Sequence, residues 1–194
     1  MIELDAGIAD QLTEIGPASS IQVRVGTSNS FLVMCSLLQP LLQDFGMHGI
    51  YICASRSAAE MIQTFDSAGI DSTNLHFIDT VSSGFIGGTN NEYENIEYID
   101  SPIMLESIML RTLYWLESDP ETPFFVVVDS VNALSIYNEG RMLAEYLHTF
   151  INTFRSREVL TAIVNVPDQT PPGVLANLDL YCTDLIDRGQ VVIN

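Results

Sequence analysis

The sequence predicts an α/β domain: a mostly parallel central β-sheet flanked by helices on both faces. Two observations carry this expectation. Short apolar runs alternate along the chain with stretches of helical period, the order of repeated βαβ units. One run, Phe124 to Val128, is apolar at consecutive positions, as a strand covered on both faces has to be. The length of 194 residues suits a single domain spanning 1–194, able to bury one core without disulfides or metals.

The elements follow in order. Candidate strands are Ile21 to Val25, Ile50 to Ala54, Leu75 to Asp79, Phe124 to Asp129 and Leu160 to Val164, with the fourth expected at the centre of the sheet. Glu139 to Arg155 gives the clearest helix, because Met142, Leu143, Tyr146, Leu147, Phe150, Ile151 and Phe154 share one face. Leu105, Ile108, Met109, Leu113 and Leu116 mark a second helix. Ser57 to Ala68 marks a third, stopped by Gly69. The stretch after Gly26 also has helical character, with Pro40 expected to kink or interrupt it. Residues 82–95, SSGFIGGTNNEYEN, have no period and predict a long surface loop, either a connector or a contact loop. Asp184 to Asp187 and Gln190 to Ile193 flank Arg188-Gly189 and predict a hairpin finish.

Charge narrows the partners. The chain has 25 acidic residues against seven basic ones, all of them arginine, for a net charge of −18. Such a surface repels polyanions and has few counterions to release, so neither nucleic acid nor an anionic membrane is an expected partner. Two explanations of the acidity compete: a solvated surface suited to a salty cytoplasm, or a surface that docks on a basic partner. The acids are dispersed and not gathered in one block, which favours the first. No apolar run approaches the roughly 18–20 residues of a membrane span. The N-terminal stretch has neither a basic leader nor a continuous apolar segment, so a cytoplasmic location is expected. Cys35, Cys53 and Cys182 are far apart in apolar surroundings and are expected to be reduced core thiols.

The motif that carries most chemistry is a departure from one. A P-loop, GxxxxGK[ST], follows a strand and aims backbone N–H groups at phosphates; its lysine neutralises them and its hydroxyl holds magnesium. Here strand Ile21 to Val25 is followed by GTSNSFLV. Gly26 matches the first glycine, but Phe31, Leu32 and Val33 stand where glycine, lysine and Ser/Thr belong. With no lysine in the chain, no shift of register restores the ammonium group. The second feature is FFVVVDS, where Asp129 ends an apolar strand as a magnesium-binding aspartate would. An acid in that place also caps turns, and both readings stay open.

From about Ile21 onward the chain resembles the archaeal and bacterial KaiC-like branch of the RecA superfamily. The resemblance rests on Tyr51-Ile52-Cys53-Ala54-Ser55-Arg56, against that family's YxTxEE, and more closely on Val127-Val128-Asp129-Ser130-Val131-Asn132-Ala133-Leu134-Ser135-Ile136-Tyr137, against its VVIDSLSALLLY. It implies a RecA/KaiC-like P-loop NTPase layout. It also implies a vestigial nucleotide pocket at Gly26, Thr27, Ser28, Asn29, Ser30 and Asp129. The paired glutamates that the family uses to polarise water fall at Ser55 and Arg56, so the general base is absent as well.

Other chemistries find no foothold. His48, His76 and His148 have no metal-ligand spacing, no GxSxG elbow occurs, and Gly26 is followed by no glycine before Gly46. No catalytic residue, no metal and no cofactor is expected. The leading expectation is a non-catalytic regulatory or scaffolding protein of the inactivated kind associated with signal transduction, acting on a protein partner or on copies of itself. The alternative is a sensor that still binds ATP or ADP weakly through backbone groups of Gly26 to Ser30, without efficient hydrolysis.

Overall fold

A computed structural model describes residues 8, 12–82, 94–187 and 190–192. Strand β1 (Ser20–Arg24) turns into helix α1 (Ser30–Gln39), β2 (His48–Cys53) into α2 (Ala58–Ala68), and β3 (Leu75–Asp79) precedes a short β4 (Ile96–Tyr98) and α3 (Leu105–Ser118). β5 (Phe124–Asp129) is followed by α4 (Val131–Tyr137) and α5 (Gly140–Arg155), β6 (Leu160–Asn165) by α6 (Pro172–Tyr181), and β7 (Asp184–Asp187) by β8 (Gln190–Val192). The strands form one sheet in the order β4-β3-β2-β5-β6-β1-β7-β8. All neighbours are parallel except β7 and β8, which pair antiparallel as the hairpin expectation had it. Arg188 and Gly189, the expected turn, lie outside the described residues.

Side-chain alternation assigns the helices to the two faces. Ile21, Val23, Tyr51, Cys53, Phe77, Phe125 and Val127 point to one face and pack with α1 and α2. Ile50, Ile52, Val126, Val128 and Ile163 point to the other and pack with α3, α4, α5 and α6. β5, buried at every position between β2 and β6, is central as its unbroken apolar run requires. The helical stripe read on α5 is the buried one, with Leu143, Leu147, Phe150, Ile151 and Phe154 in the core, whereas Met142 is exposed.

Pro40 interrupts its helix as expected: α1 ends at Gln39 and the chain passes into a wide π-helical turn over Pro40–Asp44. Two places depart from the sequence expectation. Within the expected loop 82–95, residues 83–93 lie outside the described residues; Asn95, at its end, is held to the sheet. The Asn95 amide donates to the Leu75 carbonyl and its own carbonyl accepts from Phe77 N–H, both at 2.8 Å. This seats β4 on the sheet edge. Helices α4 and α6 have no counterpart among the expected elements.

Local chemistry explains the better-read ends. The Ser57 hydroxyl accepts from Glu60 N–H at the start of α2, and Gly69 ends it at φ +80° with its N–H on Asp66, a left-handed cap that glycine adopts without strain. On β3, the half-buried His76 stacks on Trp115 at 4.0 Å, and burial, helped by His48, holds its pKa below the usual 6.5. The neutral ring is therefore the folded form. Its contribution to stability is complete above pH 6.5 and is lost as pH falls toward the depressed folded value. Thermal melts from pH 8 to 5.5 should show Tm falling on the acid side, and His76→Phe should flatten that slope.

Candidate functional site

A parallel sheet opens crevices where the loops of adjacent strands leave for opposite faces. Two such places exist here, because β1 and β2 lead to helices on one face while β5 and β6 lead to helices on the other. One crevice lies between β1 and β6, the other between β2 and β5.

The β1/β6 crevice holds a cavity of about 360 Å³, and Gly26, Thr27, Ser28 and Asn29 line one wall of it. The turn that presents them is closed on itself. Gly26 N–H donates to the Asn29 side-chain carbonyl at 2.8 Å, and Asn29 N–H reaches back to the Gly26 carbonyl at 3.4 Å. Only Thr27, Ser28 and Asn29 separate Gly26 from the first helical residue, Ser30, whereas a P-loop spaces its two glycines by four residues. The opposite wall carries Asp168 and Asp187, and among the described residues no arginine or histidine lines the cavity.

The side chains expected to fill the lysine and hydroxyl positions diverge. Val33 is buried in the core, Phe31 stacks on Phe65 at 6.4 Å, and Leu32 is left exposed. Neither Leu32 nor Val33 lines the crevice, whose wall is polar and acidic.

Asp129 belongs to the second crevice. Its side chain lies on the α1/α2 face, where Oδ2 accepts from the Tyr51 hydroxyl at 2.6 Å and Oδ1 faces the Ser55 hydroxyl at 3.5 Å. Burial pushes its carboxyl above the usual range, opposed by the Tyr51 bond, by the Arg56 guanidinium and by Ser55. Burial likewise raises Tyr51 and Cys53, with the Asp129 charge adding to both. The Asp129–Ser130 peptide is cis. Of the six residues assigned to the vestigial pocket, four share a cavity; Ser30 begins α1, and Asp129 stands one strand away across β6.

Two functional-looking groups, Asp79 and Asn165, escaped the sequence reading, and a third, Arg56, was read only as the place of a lost glutamate. Asp79 ends β3 as Asp129 ends β5, but it is spent on structure: it accepts from Ala58 N–H at the start of α2 and from Val81 N–H, Ser82 N–H and the Ser82 hydroxyl. The ending LHFID carries the same signal as FVVVD and could have been flagged. Arg56 brings a positive charge to the β2/β5 crevice from outside the β1 loop, where no arginine lies. Asn165, at the end of β6, is fully buried with neither amide atom hydrogen-bonded to protein, a condition no local pattern reveals. Among the described residues no group of three or more His, Cys, Asp and Glu side chains could hold a metal ion. Cys35, Cys53 and Cys182 are free thiols, the first two buried.

Comparison with known proteins supports the architecture. The solved structure of a KaiC-like protein from the hyperthermophilic archaeon Pyrococcus horikoshii aligns with a TM-score of 0.62 over 87% of this chain and 71% of that one, at 14% identity. No family model matches the sequence, and no curated protein matches it. The fold is therefore like that of this KaiC-like protein. Among the described residues, no helix is long and apolar enough to cross a membrane.

Proposed function

We propose that this KaiC-like domain is a non-catalytic regulatory or scaffolding protein, of the kind that serves signal transduction, and that its nucleotide pocket is vestigial. The observation that carries the reading is the turn after β1. A phosphate chain there would have to displace the Asn29 side chain from Gly26 N–H, and it would meet Asp168 and Asp187 with no cation among the described residues of the cavity wall. Backbone N–H groups and a helix N-terminus favour anions, but two carboxylates facing them oppose the same charge. Arg56 does not repair this, because its field falls on Asp129, Tyr51 and Cys53 in the neighbouring crevice.

Phosphoryl transfer needs phosphate neutralisation, a magnesium ligand and a group to orient water. Leu32, Val33 and the pair Ser55 and Arg56 occupy the places of all three. The same acidic balance that disfavours ATP also suits a solvated surface in high salt. Purified protein incubated with ATP and magnesium in high salt should release no phosphate above a magnesium-free blank. Turnover that disappears in Asp129→Asn would refute the reading.

A further inference from the structure

The geometry points to a docking groove between α3 and α5 for a basic amphipathic helix of a partner protein. The groove encloses about 750 Å³ on the sheet face away from α1 and α2. Its lips are apolar and bare: Ile103, Leu110 and Met142 are 60%, 65% and 58% exposed. Three of the seven methionines, Met104, Met109 and Met142, line it. Flexible, polarisable thioethers suit a surface that moulds itself to an inserted side chain. Scattered exposed apolar residues need no explanation, but a contiguous set along a groove marks an interaction site.

The shape selects a helix. Leu110 and Tyr114 stand one turn apart on α3, and the groove-lining residues of α5, Met142 to Thr149, span roughly 10 Å, enough for about two turns of a docked helix. An extended peptide would find no main-chain partners between two helices.

Charge selects the partner. Glu106 and Glu145 line the groove and, among the described residues, no basic side chain does. The nearby Arg141 already bonds Glu145 at 2.9 Å. A second copy of the chain would bring a surface of the same sign, −18 against −18. A helix with lysine or arginine flanking an apolar stripe meets an apolar floor and an acidic rim. The inference rests on the scaffold reading only in requiring a protein partner, and it names the chemistry of that partner.

The test uses the full chain at about 0.5 M salt, where the Debye length falls to a few ångströms and general attraction to the acidic surface is muted. Three fluorescein-labelled 18-residue peptides serve as probes: leucine on one face and lysine on the other, the same composition scrambled so that the leucines do not align, and the first with glutamate for lysine. The amphipathic lysine peptide should bind at least tenfold more tightly than the scrambled one, and the glutamate peptide should not bind. Leu110→Ser combined with Met142→Ser, both on exposed positions, should weaken binding at least tenfold; Leu180→Ser, exposed on α6 away from the groove, should leave it unchanged.

Equal binding of the scrambled peptide, indifference to the groove substitutions, or no binding would each overturn the proposal. So would a dimer in sedimentation velocity that the double substitution dissolves, since a second copy would then be the occupant. ATP turnover, measured separately, decides the scaffold reading whatever the groove does.

Discussion

Gly49→Ala should lower Tm by roughly 3–10 °C, the equivalent at this chain length of about 1–3 kcal/mol of overpacking. Gly49 lies in β2 opposite Leu75 and Phe125, both fully buried. A Cβ there would stand 2.3 Å from Leu75 Cδ2 and 2.5 Å from Phe125 Cζ, closer than real carbon contacts come. The strand cannot retreat, because it is hydrogen-bonded on both sides by β3 and β5. The side chains must move instead, out of a core packed at crystal-like density. Pairing the change with Leu75→Ala should cost less than the two effects summed, a coupling that denaturant melts of the single and double variants would read directly.

Tyr51→Phe should destabilise by about 1.5–3 kcal/mol at neutral pH, because it removes the one close hydrogen-bond donor to a buried carboxylate. The pH dependence follows from the direction of the Asp129 shift. Folding raises that pKa above 3.8, so the native state takes up the proton more readily. The stability gained from that uptake is complete below pH 3.8 and lost as pH rises through the folded value. Losing the Tyr51 bond pushes the folded value higher still, and the cost of Tyr51→Phe should shrink as the solution is acidified. Asp129→Asn should do the opposite at neutral pH, raising Tm by removing the buried charge while keeping an acceptor for Tyr51. Its advantage should fade toward acid.

What was legible in the sequence was what periodicity encodes. The five long apolar runs became β1, β2, β3, β5 and β6 within a residue or two, and Gly69 ended its helix where a left-handed cap was needed. Short or weakly patterned elements were not legible. β4 has three half-buried residues at an edge, too few for alternation to register. α6 follows a proline-rich stretch and buries only Val174 and Leu178, so its stripe is thin.

The site divided along the same line. The absent lysine and hydroxyl could be read from GTSNSFLV, since an absence needs no geometry. The pairings could not. Tyr51 meets Asp129 across 78 positions of sequence, and Asp168 and Asp187 reach the Gly26 turn only through the placing of β6 and β7 beside β1. Asn29 closing on Gly26 is local, but GTSN by itself does not distinguish a closed turn from an open cradle.

The vestigial reading stands on the turn after β1 offering no seat for a triphosphate. Calorimetric titration of the purified chain with ATP and magnesium in high salt measures that directly. Silence through the millimolar range is the expected result. Micromolar binding that vanishes when Gly26 or Asp129 is substituted would contradict it.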